Sequence, residues 1–265
     1  MTRHGAVGST RASRGVAFLF SSILGSVCSV LGLSCSLPPG QFVIVQNQVP
    51  LNGTCAIPAE VSNAYRGSGE LDVRLVQAEA SVGYAVFPVM KNNLPPSEDT
   101  ADLNRIKVQA FDVDVGLPED TTSGPIFDLF ARLENERPDL LHYSIPFSAS
   151  ISSGGGNTSA SVDAIPAELA REIRGTSYLA TTAFAYLTTT IHARGKTDGN
   201  RSVTSDPFVY PVRVCDGCLI ASVSPCPVTT TPNYLGNACN VAQDDLVDCC
   251  SVGTGLVCPP RIAAQ

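Results

Sequence analysis

Residues 178–214 read YLATTAFAYLTTTIHARGKTDGNRSVTSDPFVYPVRV, and this stretch decides the fold class. Tyr178 to Lys196 runs into Asp198-Gly199, a favoured two-residue hairpin turn, and Val203 to Val214 returns with Phe208, Tyr210, Val212 and Val214 on one face. A β-hairpin is predicted. Pro207 and Pro211 have no backbone N–H to donate, so the returning strand is expected at a sheet edge or interrupted.

Working toward the N-terminus, the same period of two recurs. Tyr143, Ile145, Phe147, Ala149 and Ile151 alternate and stop at Gly154-Gly155-Gly156. Between Arg105 and Val115 the apolar phase flips from Ile106, Val108 and Ala110 to Phe111, Val113 and Val115, which predicts a β-bulge near Ala110. Val82 to Met90 is apolar on both phases and reads as a central strand that ends at Asn92-Asn93-Leu94-Pro95-Pro96. Glu70 to Gln77 places Leu71, Val73 and Leu75 inward and Asp72 and Arg74 outward, and Gln41 to Val49 is a strand ended by Pro50.

Two segments have helical spacing. Ile126, Leu129, Phe130 and Leu133 follow Pro125, and Leu169 and Ile173 follow Pro166 with Gly175 just beyond. The expected fold is therefore all-β: an antiparallel, immunoglobulin-like β-sandwich with short connecting helices and a disulfide-rich C-terminal tail. The cysteine-tryptophan pattern of true immunoglobulin domains is absent, so the relation is architectural and implies no activity.

The N-terminus carries an address. Arg3, Arg11 and Arg14 precede an uncharged apolar run from Gly15 to Leu33, and Ser34-Cys35 follows. This is the layout of a lipoprotein leader, with Cys35 the lipidated first residue of the mature chain. An uncleaved anchor and plain secretion are the competing readings, because the run approaches the ~20 residues that span a bilayer. Expected boundaries are a leader over 1–34, a β domain over 35–217 and a Cys-rich tail over 218–265. The leader holds three of the 17 Lys+Arg and none of the 24 Asp+Glu, which leaves 14 against 24, a net charge of −10. So acidic a chain is a poor ligand for phosphate backbones, and nucleic acid is excluded as a partner.

Ten cysteines are present. Cys28 leaves with the leader and Cys35 is the lipid site; Cys55, Cys215, Cys218, Cys226, Cys239, Cys249, Cys250 and Cys258 remain as disulfide candidates. Seven of these eight lie between Cys215 and Cys258, so full oxidation requires Cys55 to pair with one of them and tie the start of the domain to its end. Cys215-Asp-Gly-Cys218 also has zinc-ligand and redox-motif spacing. No second pair and no nearby histidine support zinc, and a thioredoxin-type site needs a strand-to-helix turn that the β pattern does not offer.

The catalytic inventory is empty: His142 and His192 sit in no hydrolase or zinc-protease motif. Asp112, Asp114, Glu119 and Asp120, and more weakly Asp244, Asp245 and Asp248, offer the oxygens of a calcium cluster, but solvated acids are the simpler reading. No metal and no cofactor is expected. The glycosylation-like triplets at Asn52, Asn157 and Asn200 read as coincidence beside a bacterial leader.

The leader ending at Cys35, YAVFPVMKNNLP, VDAIPAELAREI, the hairpin through VCDGCL and NACNVAQDDLVDCC together resemble uncharacterised exported lipoproteins of high-GC Gram-negative bacteria. The likeness spans most of the mature chain and implies no reaction. The expected function is a non-enzymatic envelope lipoprotein, structural or binding, at the outer membrane. Its partners would be the membrane through the lipid anchor and an envelope protein or glycan. A surface hydrolase using carboxylates and a calcium-assisted adhesin for glycan or protein are the alternatives.

Overall fold

The computed structural model describes residues 40–51, 54–76, 80, 82–97, 101–181, 184–226, 237, 239–253 and 255–258. The leader, with Cys28 and Cys35, lies outside these residues, as does Asn52. In chain order the elements are β1 (Phe42–Gln48), β2 (Tyr65–Arg66), β3 (Gly69–Asp72), β4 (Val82–Val86), β5 (Pro88–Asn92), β6 (Ile106–Gly116), α1 (Pro125–Glu136), β7 (His142–Ile151), β8 (Gly156–Ser159), β9 (Val162–Pro166), α2 (Ala167–Arg174), α3 (Tyr178–Thr181), β10 (Ala185–Thr197), β11 (Ser202–Thr204), β12 (Phe208–Cys215), β13 (Ile220–Pro225), β14 (Val247–Val252) and β15 (Gly255–Val257). The chain is mostly β-sheet, and its buried side chains form a continuous core. Among the described residues no helix is long and apolar enough to cross a membrane.

The largest sheet runs β3-β12-β10-β6-β7, with β11 also on β10. In β10, Leu187, Thr189, Ile191 and Ala193 are buried while the alternate residues face outward, the pleat period acting on a strand covered on one side. The β10–β11 turn differs from the two-residue form expected. Asn200 N–H donates to Thr197 O (2.8 Å), Thr197 N–H donates to Arg201 O (2.9 Å), and Asn200 takes the left-handed conformation (φ 63°). This makes a three-residue loop, which asparagine tolerates through its short polar side chain. The predicted strand start at Tyr178 is also corrected, since α3 precedes β10.

Both neighbours of β6 slip register at Gln109: Arg194 pairs with Ala110 and Gly195 with Val108, and across the other edge Val108 pairs with Ala149 and Ala110 with Pro146. The bulge is what lets Ile106 and Val108 share a core face with Phe111, Val113 and Val115. It also drives the Lys107 carbonyl against Gly195, where a Cβ would collide with that backbone.

Two pairings, β3 with β12 and β13 with β14, are parallel, and the other described pairings are antiparallel. Because β3 covers its far side, β12 is an inner strand, so of the two outcomes expected from the prolines the returning strand is interrupted and does not lie at an edge. Pro207 falls in the gap between β11 and β12. Pro211 is tolerated because β3 pairing begins only at Val212–Gly69, one residue further on.

Val82–Met90 is not one central strand. It divides at Phe87: β4 pairs with β9, while β5 joins the sheet β2-β1-β5-β8. Pro88 begins the second piece, where a missing N–H is harmless, and the Phe87 N–H is taken by Asn47 Oδ1 (2.7 Å). The predicted strand from Glu70 to Gln77 likewise stops at Asp72, which is fully buried instead of outward. Its carboxylate accepts the backbone N–H groups of Arg74 (3.0 Å), Gly217 (2.7 Å) and Leu219 (3.0 Å) and so holds the turn after β12.

Helix α1 starts at Pro125 and buries Ile126, Leu129, Phe130 and Leu133, each worth about 1.5–3 kcal/mol relative to exposure. Helix α2 begins after Pro166, which caps it from outside with ψ 145°, and packs on β4 and β9.

The Cys-rich tail packs into the domain. Residues 36–265 form one compact unit. Asp72 N–H donates to Ala242 O (2.8 Å), Asp244 N–H donates to Glu70 O (2.9 Å), and Leu71 bridges antiparallel to Gln243, so the tail pairs with the free edge of β3. From there Gln243, 1% exposed, reaches β4. Its Oε1 accepts the Ala85 N–H (2.9 Å) and its Nε2 donates to the Ala85 carbonyl (3.1 Å), while Asn240 Nδ2 donates to Gly83 O (3.0 Å). Two side-chain amides thus satisfy strand backbone that would otherwise be buried unpaired.

All eight candidate cysteines are in disulfides: Cys55–Cys239, Cys215–Cys218, Cys226–Cys250 and Cys249–Cys258. Cys55–Cys239 is the predicted long-range staple and spans 184 residues, which by chain-entropy reasoning stabilises by roughly 5 kcal/mol, against about 2 kcal/mol for the Cys215–Cys218 loop. Replacing Gln243 by Leu is expected to cost about 2–4 kcal/mol, because both Ala85 groups lose their partner. The Cys55→Ser/Cys239→Ser double variant is expected to lose roughly 2–5 kcal/mol. Urea denaturation followed by circular dichroism checks both, and an unchanged midpoint for Gln243→Leu would refute the role given to that amide.

Candidate functional site

Three neighbouring strands place their side chains in register at one end of the largest sheet. Arg213 of β12 lies opposite Glu70 of β3 on one side and Tyr186 of β10 on the other, so the three form a row across the outer face. Arg213 is ion-paired to Glu70. Its guanidinium lies 5.6 Å from the Phe184 ring centroid, and Phe184 meets Tyr186 edge to face at 5.3 Å. Both rings are unusually open for aromatics, 39% and 52% exposed. Tyr186 lines a cleft of about 440 Å³ together with Arg66, Glu70, Pro211, Arg213 and Asp244.

The floor of the cleft is a buried polar cluster. Asp244 Oδ1 accepts Glu70 N–H (3.0 Å) and Tyr84 Oη–H (2.9 Å), Gln243 Nε2 donates to Oδ2 (3.2 Å), and Arg66 Nε lies 3.6 Å away. Burial pushes the Asp244 carboxyl above its ordinary range, although the Glu70 N–H, Arg66 and Tyr84 all pull the other way. Burial likewise raises the Tyr84 phenol, helped by the Asp244 charge and by Tyr210, whose hydroxyl is 3.1 Å away. The second arm of Arg66 holds Asp245 at 2.7 Å. Every carboxylate here is committed to a cation or a backbone donor. The surface left for a ligand is the Tyr186 ring, edged by guanidinium and carboxylate groups.

The acids with calcium-ligand chemistry do not converge. Asp112 pairs with Arg194, which also reaches Ser144 (3.1 Å), Asp114 pairs with His142, and Glu119 and Asp120 are exposed beyond the end of β6. In the tail Asp244 and Asp245 face Arg66, and Asp248 lies on β14. Among the described residues the one cluster with metal-ligand spacing is Glu70, Cys215 and Cys218, whose two sulfurs are joined as a disulfide. His192 lies on the outer face of β10 with Nδ1 3.2 Å from Ser205 O. Asn157 is on β8 and Asn200 in the hairpin loop. Arg66, Glu70, Phe184, Tyr186 and Arg213 were not singled out from sequence. Their only signal is that Phe184, just before β10, and Tyr186 stand two residues apart on one phase.

His142 is held between Asp114 (Nδ1 to Oδ1, 2.7 Å) and Glu134 (Nε2 to Oε2, 3.0 Å), and these two contacts raise its pKa. Its folded-state pKa exceeds the unfolded value near 6.5, so the stability it adds is fully present below that pH and is lost as pH rises through the raised value. The protein is therefore expected to melt at a higher temperature at pH 5.5 than at pH 8.5 by a margin that shrinks in His142→Gln. Equal margins in thermal scans of the two proteins would sink this assignment. No protein-family model, curated protein or solved structure matches the chain.

Proposed function

We propose that this chain is an exported envelope protein, anchored at the outer membrane by a lipid on Cys35 after loss of residues 1–34, whose folded part is a non-enzymatic binding module. Its finer architecture is read as an immunoglobulin-like β-sandwich, supported by two principal sheets that share one core. Export is supported by the oxidation of all eight cysteines of the folded part, a state that belongs to an oxidising compartment.

The observation that carries the binding reading is the row of Glu70, Arg213 and Tyr186, with Phe184 beneath the guanidinium. The Tyr186 ring offers the apolar surface that the C–H side of a sugar ring stacks on, and the flanking ion pair offers donors and acceptors for its hydroxyls. An envelope glycan is therefore the ligand class that fits. The cleft is a poor site for acid-base chemistry because Asp244 is surrounded by hydrogen-bond donors and Glu70 is ion-paired to Arg213.

A hydrolase using a carboxylate pair is the second reading, since Glu70 and Asp244 line the same cleft and burial holds the Asp244 carboxyl up. Against it stands the set of four partners around Asp244, which leaves no lone pair aimed at a substrate.

Two measurements test the proposal. Intact-mass analysis of material extracted from membranes should give a chain that starts at Cys35 with added acyl mass, and Cys35→Ser should release it; an unprocessed chain would overturn the anchor. Calorimetric or NMR titration with envelope polysaccharide fragments should show binding that falls at least tenfold in Tyr186→Ala with the fold intact. Unaltered binding in that variant, or release of hydrolysis products by the wild type, would overturn the binding reading.

A further inference from the structure

We propose that the Cys215–Cys218 disulfide is a redox couple, opened by a dithiol donor that attacks Cys218 Sγ, and that its dithiol form is stabilised by acceptors already in place. The inference does not rest on the cleft's binding a ligand, although Glu70 belongs to both places.

The four disulfides are not alike. Cys218 is the exposed member of the eight, whereas Cys215, Cys249 and Cys250 are buried and Cys55, Cys226, Cys239 and Cys258 are half-buried. A donor reaches one sulfur of this pair and not the other. The bond also closes the shortest loop, a separation of 3 residues against 9, 24 and 184, so it restricts the unfolded chain least.

The turn does not need the bond to keep its shape. Asp72 binds the N–H groups of Gly217 and Leu219, Asp216 is ion-paired to Arg74 at 2.6 Å, and Gly217 supplies the left-handed turn at φ 93°. Both strands that flank it are tied elsewhere, β12 to β3 and β13 to β14. Opening the bond therefore leaves the two sulfurs close together in a fixed turn.

Each sulfur faces an acceptor that only a thiol can use. Cys218 Sγ is 3.0 Å from Glu70 Oε1, and Cys215 Sγ is 3.5 Å from the Leu71 carbonyl. A disulfide sulfur carries no proton to give. Once the pair is reduced and the sulfurs draw apart to non-bonded contact, each thiol has an acceptor beside it, and this stabilises the dithiol form. The site differs from a thioredoxin-type one: it joins two strands, no helix among the described residues starts at it to stabilise a thiolate, and the carboxylate favours the protonated form.

The exchange balances as follows. A donor thiolate bonds to Cys218 Sγ, the Cys215–Cys218 bond breaks, and Cys215 leaves as a thiolate that takes a proton from water and turns it toward Leu71 O. The donor's second thiolate then attacks the donor sulfur of the mixed disulfide, and Cys218 leaves, is protonated, and hydrogen-bonds Glu70. The pair gains two electrons and two protons, and the donor dithiol becomes a disulfide.

The test equilibrates the folded protein with graded ratios of reduced to oxidised dithiothreitol, quenches with acid, alkylates and maps the cysteines by mass spectrometry. Cys215–Cys218 is expected to open at a ratio at least tenfold lower than the other three bonds, with circular dichroism unchanged. With oxidised glutathione, Cys215→Ser should form a mixed disulfide at Cys218, whereas Cys218→Ser should leave Cys215 unmodified. Glu70→Ala should lower the open fraction several-fold and, in the Cys215→Ser background, move the pH profile of Cys218 alkylation to lower pH. Opening of Cys226–Cys250 or Cys249–Cys258 at the same ratio would overturn the proposal. So would an opened pair that added zinc shields from alkylation, which would make the site a metal site.

Discussion

The structure depends on one substitution of chemistry: two side-chain amides from the tail stand in for a strand. Gln243 completes both hydrogen bonds of Ala85, Asn240 takes the Gly83 carbonyl, and the tail backbone pairs with the other exposed edge, that of β3. Without these contacts β3 and β4 would each present unpaired backbone inside the molecule, at a cost of a few kcal/mol for each bare group. The Cys55–Cys239 staple and the Arg66 contacts to Asp244 and Asp245 hold the tail in register over these edges. The same segment supplies Asp244 to the floor of the aromatic cleft, so closing the fold and shaping the cleft are a single event.

The periodic features were legible in the sequence because they rest on near neighbours. The alternation of β10 and β7, the phase flip that marks the bulge at Gln109 and the spacing of α1 and α2 each involve residues a few positions apart. Parity and crowding of cysteines near the C-terminus were enough to require a long-range partner for Cys55, although not to name Cys239.

What stayed hidden depends on distant pairing. Asp72 looked solvated because its neighbours alternate, yet it is buried by three N–H groups, two of them about 145 residues away. Val82–Met90 looked like one strand because both halves are buried, and only their assignment to different sheets separates them at Pro88. The cleft was illegible for the same reason: Glu70, Tyr186 and Arg213 meet through one parallel and one antiparallel pairing that no local pattern announces. The amides of Asn240 and Gln243 sit in a stretch without periodicity, where a glutamine reads as surface.

The span of the Cys55–Cys239 bond has a consequence for biogenesis. A chain emerging from N- to C-terminus shows its first core strands early, but residue 239 of 265 must arrive before the covalent ring can shut. Until then β3 and β4 have no cover on their tail-facing edges, so the part of the domain already made waits with those edges bare. Long-range closure of this kind is slow because loop entropy is lost before contacts reward it. Cys55 therefore stays unpaired through nearly the whole of synthesis, and its safe custody in that interval sets how much of the chain matures correctly.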